Sequence, residues 1–336
     1  MATGGTMEAA SPPLVTIVIP VFNRLQYLDQ AIRSVLDQTH PEIELIVVDD
    51  GSPLDPQPVV SAYGDRLTLI RKPNGGLASA RNAGIERARG TYILFLDDDD
   101  YLEPTAVERL LRAIDEHPGA PWAAGRFCYV DDRGGKSPGR ESLHFDSGDI
   151  YSRMIRECLI SCPSTVLVRT DVLRNLGLFD ESLRLSEDYD MWLRLARDYP
   201  IAATPARVSN YRTHAQQISR TQWSRHFDHH LRVIKKHRDR ARPGFDPQFE
   251  AARAELHLQY GDGLYVDGLN AEARAQWRLA MAAGGPSLRP RLLGRFAKSY
   301  LPGPILGTLR GLAGACRSVL RGRGRPRHEA APTAPA

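Results

Sequence analysis

Unbroken apolar runs alternate with helically spaced ones along the first part of the chain. Leu14–Ile19 (LVTIVI) is closed by Pro20, Ile43–Val48 (IELIVV) ends at Asp49-Asp50-Gly51-Ser52, and Thr91–Leu96 (TYILFL) ends at Asp97. Runs of this kind, nearly all apolar and rich in β-branched side chains, predict strands buried on both faces. Leu67–Ile70 predicts a shorter strand. Between the runs, Leu25, Leu28, Ile32, Val35 and Leu36 recur at helical spacing, so Leu25–Gln38 reads as an amphipathic helix, and Leu77–Arg89 as another. Strands alternating with helices predict an α/β fold with a mostly parallel central sheet and flanking helices.

Further along, a helix is expected from Pro104 to about Glu116, strands at Trp122–Val130 and Ser164–Val168, and a helix over Glu187–Asp198 with Met191, Trp192 and Leu195 facing inward. Asp131 to Phe145 is rich in Gly, Ser and charge and reads as a mobile loop. Past about Arg220 only helical patterns remain, and Ala271–Ala283 resembles half of a helical-repeat hairpin. The expected organisation is a disordered leader (1–13), a main domain (14–220), an all-helical extension (221–300), a basic amphipathic helix (301–322) and a disordered tail (323–336).

The polar residues fall at telling places. Asn23, Asp49-Asp50 and Asp97–Asp100 each follow the C-terminal end of a predicted strand. In an open α/β sheet the ligand crevice lies outside those ends, so clusters remote in sequence are expected to meet there.

Charge sharpens this picture. The formal net charge of the 336-residue chain is only +4, which argues against nucleic acid as a partner, but the charge is uneven. Acids gather at Asp49-Asp50, Asp97–Asp100 and Glu187-Asp188-Asp190, and arginines gather at 310, 317, 321, 323, 325 and 327. The four cysteines form no zinc pattern and read as free thiols of a reducing compartment. Residues 1–13 lack the apolar core of a signal peptide, and Leu301–Leu320 is too interrupted to span a membrane. A cytoplasmic protein is expected, peripheral at the inner face of the cell membrane. Ile305, Leu309, Leu312, Cys316, Val319 and Leu320 make an apolar stripe beside arginines that suits an anionic lipid surface, or else packs on the protein's own core.

The candidate chemistry is acidic. Four consecutive carboxylates after a buried strand suit Mg²⁺ or Mn²⁺, which bridge to substrate phosphates and neutralise a leaving diphosphate; the plain alternative is a solvated turn capping the next helix. Asp49-Asp50-Gly51-Ser52 offers acceptors for a ribose or base, or simply an Asx turn. Asn74-Gly75-Gly76 leads into a helix bearing Arg81, which reaches a phosphate or ribose, or pairs with a strand-end Asp. Ser186-Glu187-Asp188-Tyr189-Asp190 opens a helix; a carboxylate here serves as general base or merely complements the helix dipole. His214, in Arg212-Thr213-His214, is either a ligand of metal or phosphate, or structural.

Together these residues resemble family 2 of the nucleotide-sugar-dependent glycosyltransferases, which have the GT-A (Rossmann-like) fold. The resemblance is carried by Val18-Ile19-Pro20-Val21-Phe22-Asn23-Arg24, Val47-Val48-Asp49-Asp50-Gly51-Ser52, Asn74-Gly75-Gly76 through Ala80-Arg81-Asn82, Phe95-Leu96-Asp97-Asp98-Asp99-Asp100 and Glu187-Asp188-Tyr189-Asp190-Met191-Trp192. It spans about Leu14 to Arg220. It implies a nucleotide-sugar pocket formed by Pro20, Val21, Asn23, Asp49, Asp50, Gly51, Asn74, Gly75, Arg81, Asp97 and Asp98. It implies a divalent cation, Mn²⁺ or Mg²⁺, on Asp99 with His214, and catalysis by Asp188 as base with Glu187 beside it. Asp98 stands where the family commonly has a small residue, so the acidic register also reads one position along. The implied activity is inverting transfer from a nucleotide-diphosphate sugar to an acceptor hydroxyl of a glycan or lipid-linked molecule, in cell-surface polysaccharide or glycolipid synthesis. The competing readings are a non-catalytic nucleotide-sugar binder and a sugar nucleotidyltransferase.

Overall fold

The computed structural model describes residues 11–142, 145–215, 217, 223–284 and 289–300. The leader before residue 11, the basic helix expected at 301–322 and the tail at 323–336 lie outside the described residues. Two compact units are present, one ending at Leu256 and one beginning at His257.

The first unit is built on β1 (Val15–Val21), β2 (Ile43–Asp49), β3 (Thr68–Arg71) and β4 (Tyr92–Phe95), all parallel and ordered β3-β2-β1-β4. Their apolar runs form strands because both faces are covered. Val15, Ile17, Ile19, Leu45, Val47, Leu94 and Leu96 face one apolar layer, with Leu28, Ile32 and Val35 of α1 (Leu25–Leu36) and Val107 and Leu110 of α4 (Ala106–Glu116). Val18, Ile46, Val48, Ile93 and Phe95 face the other. There they meet α3 (Leu77–Arg87), α5 (Tyr151–Arg156), α6 (Thr170–Asn175) and α7 (Glu187–Asp198). One short helix, α2 (Gln57–Val60), lies between β2 and β3.

Close packing fixes α3 on the sheet. A Cβ placed on Gly84 falls 2.4 Å from Val18 Cγ1. Any larger residue there would push the helix off β1, and Arg81 one turn earlier would move with it.

Beyond β4 the expected parallel arrangement gives way to a mixed one. β8 (Val166–Arg169) runs antiparallel to β4 and to β6 (Trp122–Val130), β9 (Ala202–Arg212) is parallel to β6, and β5 (Tyr101–Leu102) is antiparallel to β9. The loop expected over Asp131–Phe145 is corrected: Lys136–Glu141 forms β7, antiparallel to β6. Its sequence, KSPGRE, carries Pro and Gly that only an edge strand tolerates, which hides it from periodicity. β9 is hidden for a similar reason. Its middle, Pro205 and Arg207, is exposed, and only Val208–Asn210 is continuously buried, so its pattern is not apolar.

The described chain past Arg220 is helical. Helix α8 (Trp223–Arg238) belongs to the first unit and buries Val233 and Ile234 in the same layer as α7. The described helices that follow are α9 (Asp246–Val266), α10 (Asn270–Gly284) and α11 (Arg289–Ser299). In the second unit Trp277 is fully buried and donates its indole N–H to Asp262 at 3.1 Å, and Arg295 ion-pairs with the same carboxylate at 2.6 Å. No described helix is long and apolar enough to cross a membrane.

Candidate active site

The C-terminal ends of β1, β2 and β4 stop side by side, since Val21 pairs with Asp49 and Val18 with Phe95. The two carboxylates ending β2 are turned inward. Asp49 accepts from the Ser52 N–H at 2.9 Å and from Arg71 Nε at 3.1 Å. Asp50 accepts from the Gly75 N–H at 3.0 Å, the Gly76 N–H at 2.7 Å and Lys72 Nζ at 2.8 Å. These bonds set the glycine loop at the start of α3. Gly51, at φ 76°, lets the two loops touch, since a Cβ on it would lie 2.8 Å from the Asn74 nitrogen. Asp49 and Asp50, like Pro20 and Val21, are buried beneath these loops. Asn23, Gly51 and Asn74 are exposed, and Gly75 is half-buried.

The acidic run after β4 is packed against cations drawn from distant parts of the chain. Arg24, just before α1, reaches Asp98 Oδ1 at 2.5 Å and Asp99 Oδ2 at 2.6 Å. His214 Nε2 meets the same Asp99 oxygen at 3.0 Å. Burial raises the Asp99 pKa, but the His214 hydrogen bond and the Arg24 charge outweigh it and hold the carboxyl below its ordinary value. Asp98 goes the other way. Burial, with Asp99 and Asp97 alongside, prevails over Arg24 and pushes it up to about 8. Among the described residues Asp100 has no cationic side chain bonded to it; it accepts from Ser164 Oγ at 2.8 Å and the Arg212 N–H at 3.0 Å, and burial drives its pKa well up. Arg212 is buried, bonds the Asp99 carbonyl at 2.9 Å and Gln30 at 2.6 Å, and stacks over Tyr27. It fixes the end of β9, so His214 arrives at Asp99.

Arg81 joins the acidic run to α7. Its side chain is 1% exposed and its guanidinium bonds Asp97 Oδ1 at 2.9 Å and Glu187 Oε1 at 2.7 Å. Of the two open readings for Arg81, pairing with a strand-end Asp is the one present. Glu187 is itself buried, and burial against the pull of Arg81 pushes it up to about 7.

The three acids of the first turn of α7 therefore divide. Glu187 is taken by Arg81. Asp190, fully buried, is held by His237 Nε2 at 2.9 Å, Lys236 Nζ at 2.7 Å and Arg194 at 2.9 Å. Asp188 is left half-exposed, its Oδ1 accepting from the Tyr189 N–H at 2.7 Å. Ser186, ahead of it, sits in a left-handed conformation at φ 62°, as does Asn23 at φ 59° on the opposite rim. Such strain persists only where surrounding structure enforces it, and here Ser186 Oγ is held by His230 Nδ1 at 2.8 Å. His230 stacks on Tyr189 with ring centroids 4.8 Å apart. Burial lowers the pKa of both His226 and His230, against the nearby charge of Asp188, so α8 presents neutral imidazoles beside that carboxylate.

Several of these residues escaped the reading of the sequence. Arg24 lay inside a quoted motif without a role, and Arg212 beside His214 likewise. His226, His230 and His237 were missed, although their spacing of four and seven puts them on one helical face, which is a legible signal. Only their partner face on α7 required the fold.

The donor set fits a hard divalent cation of modest protein ligation. Asp99 and His214 supply a carboxylate and an imidazole, and Asp98 keeps a buried oxygen, Oδ2, with no hydrogen-bond partner. Among the described residues no group of three or more His, Cys, Asp or Glu side chains forms a metal cage. Mg²⁺ and Mn²⁺ sites that borrow ligands from substrate phosphates need only one or two protein groups.

A mixed sheet with a parallel half, an acidic run at the end of β4 and a helix-borne acid pair joined to it by Arg81 are the architecture of a GT-A glycosyltransferase. Residues 16–177 match the domain described as glycosyl transferase family 2. An uncharacterised glycosyltransferase of Rickettsia prowazekii is 32% identical over 221 residues, covering 62% of this chain and 67% of that protein. The chain belongs to glycosyltransferase family 2. Chondroitin synthase of Pasteurella multocida is 34% identical over 192 residues, 55% of this chain but only 19% of that protein. Among solved structures, the mannosyltransferase PcManGT of Pyrobaculum calidifontis, in complex with GDP-Man and Mn²⁺, superposes with a TM-score of 0.57 at 21% identity, covering 87% of this chain and 81% of the other. Residues 1–349 of S. aureus TarS, in complex with UDP-GlcNAc, give 0.55 at 19% identity, covering 81% and 90%. At such identities these two structures speak for the fold.

Proposed function

We propose that this glycosyltransferase moves a sugar from a nucleoside-diphosphate donor to an acceptor hydroxyl by a single inverting displacement, with Asp188 as the general base. The observation that carries the proposal is the Arg81 bridge, which joins the strand-end Asp97 to Glu187, the neighbour of Asp188 on α7. Among the described residues Asp188 is the one acid of that helical turn with no cationic side chain bonded to it, and it is half-buried, with part of its carboxylate reachable by an acceptor. Glu187 and Arg81 position it. One base suffices for inversion, and no covalent nucleophile is needed.

Asp99 and His214 are the residues that hold a divalent cation, Mn²⁺ or Mg²⁺, with Asp98 beside them. When bound, the cation supplies Lewis-acid stabilisation of the departing diphosphate. The rim formed by Asn23, Gly51, Asn74 and Gly75, backed by Pro20, Val21, Asp49 and Asp50, receives the nucleotide, with Asp97 and Arg81 at its inner end. The acceptor is a glycan or lipid-linked hydroxyl of cell-surface polysaccharide or glycolipid synthesis, and the sequence of Ile305–Leu320, an apolar stripe beside arginines, suits an anionic membrane surface. Deleting residues 301–336 then removes pelleting with anionic vesicles; undiminished pelleting rejects the membrane role.

The direct test is a screen of uridine, guanosine and thymidine diphosphate sugars for nucleoside-diphosphate release with Mn²⁺ or Mg²⁺. Release with at least one donor, dependent on Asp188 and abolished by chelation, is the expected result. Release of pyrophosphate instead identifies nucleotidyl transfer. Donor binding with no release for any donor and acceptor identifies a binder.

A further inference from the structure

Two guanidinium groups compensate the acidic run, and they differ in a way that matters. Arg81 is 1% exposed, lies within a helix, and ties two elements together. The Arg24 side chain is 23% exposed and lies on the turn between β1 and α1. Among the described residues its guanidinium bonds only Asp98 and Asp99, whose side chains are 1% and 9% exposed. Arg24 is thus the outer layer over the carboxylates. A cation arriving from solvent meets it first.

The two arginines also leave the cluster differently satisfied. Arg81 divides its charge between Asp97 and Glu187. Arg24 places its two terminal nitrogens on two different carboxylates, which is how one divalent ion would bridge them. It shares Asp99 Oδ2 with His214, the pair that supplies the cation's protein ligands. Asp98 meanwhile retains its buried, unpartnered Oδ2. The pair of carboxylates therefore has more acceptor capacity than Arg24 uses, and Arg24 is its more exposed partner.

We propose that Arg24 is a displaceable counter-cation: it neutralises Asp98 and Asp99 in the free protein, competes with the divalent ion for them, and yields when ion and sugar diphosphate arrive together. This rests on the cation reading given above. Buried neighbouring carboxylates repel one another, so a cation in that place keeps the empty cleft folded. The same cation must leave before Asp99 can coordinate metal. A diphosphate offers the freed guanidinium a bidentate anionic partner, which makes displacement favourable when the donor is present. The protein then binds metal weakly alone and tightly with nucleotide.

The experiment is Mn²⁺ titration of the full-length protein, read from the free-ion electron paramagnetic resonance signal, alone and with uridine or guanosine diphosphate. Arg24→Gln is expected to bind Mn²⁺ alone about tenfold more tightly than the parent, because the competitor is gone. Arg24→Lys, which keeps the charge but not the fork, is expected to lie between the two. The mutual tightening of Mn²⁺ and nucleoside diphosphate is expected to shrink in Arg24→Gln, since the two effects are reciprocal. Equal or weaker Mn²⁺ binding by Arg24→Gln with an intact cooperative melt overturns the proposal; that is the signature of a mere brace. If Arg24→Gln does not fold, Arg24→Lys decides alone, and weaker binding than the parent's overturns it. If parent and Asp99→Ala alike retain no Mn²⁺, even with either nucleotide, the cation reading itself has failed and this inference with it.

Discussion

The two acidic clusters of the site are alike on paper and opposite in construction. Asp97–Asp100 are neighbours in sequence, turned together at the end of β4 and buried against Arg24, Arg81, Arg212 and His214 from remote segments. Glu187, Asp188 and Asp190 share one turn of α7, yet each has a different fate: bound to Arg81, left half-exposed, or locked to α8. The first cluster concentrates carboxylate oxygens, one of them, Asp98 Oδ2, buried without a hydrogen-bond partner, which suits cation capture. The second neutralises two acids so that a third stands alone in defined geometry, which suits proton transfer. Burial and partnering, more than residue type, separate the two proposed roles, cation site and base.

The largest expected effect tests that division directly. Asp188→Asn lowers nucleoside-diphosphate release by about 10³-fold while leaving nucleotide binding unchanged, as expected for a lost general base. Activity within a few-fold of the parent, with the same pH profile, would move the base elsewhere. On the other side of the comparison, Asp99→Ala should cost on the order of 10²-fold or more and remove stimulation by Mn²⁺ or Mg²⁺. An unaltered metal dependence would sever the acidic run from the cation.

The bridge between clusters is next. Arg81→Met strands Asp97 and Glu187 as buried unpaired acids, a loss of about 3–5 kcal/mol of stability that a thermal or urea melt will read. Adding Glu187→Gln to Arg81→Met should recover part of that loss, since the two side chains interact directly. Additive losses would show that the bridge is incidental.

A smaller, pH-dependent effect concerns the α7–α8 clasp. Burial alone would raise the Asp190 pKa, but the His237 hydrogen bond and the charges of Arg194 and Lys236 hold it well below the ordinary value. The native state therefore keeps this carboxylate ionised at a pH where the unfolded chain takes up a proton. Its stabilisation is complete above the unfolded aspartate pKa of about 3.9 and drains away as pH falls below it. The parent should lose about 1 kcal/mol between pH 5 and pH 3 through this group alone, and Asp190→Asn should flatten that part of the stability–pH curve. An unchanged slope would show that α8 is held by its apolar face. The mildest change, His230→Ala, removes the contact to Ser186 and the stack on Tyr189, and should cost about 1 kcal/mol of stability with a several-fold drop in rate.

How much of this the sequence carries depends on range. The strands β1, β2 and β4, the helices α1, α3, α4 and α7, and the placing of Asn23, Asp49-Asp50 and Asp97–Asp100 at strand ends follow from local periodicity, because a buried strand or an amphipathic helix writes its environment into adjacent residues. The family motifs likewise mark the candidate residues by number. Strands β5, β7 and β9 escape, because short or half-exposed strands with Pro, Gly or charge have no distinctive period. What only the tertiary structure decided is who neutralises whom. That Asp49 and Asp50 also bond the Ser52, Gly75 and Gly76 N–H groups, and so set the glycine loop, appears only in the fold. Glu187, Asp188 and Asp190 look equivalent until Arg81 and α8 claim two of them. Hydrophobic pattern is a property of neighbouring residues and is legible along the chain; the pairing of buried charges joins positions some 75 to 115 residues apart, such as Arg24 with Asp99 and His214 with Asp99, and exists only once the chain has folded.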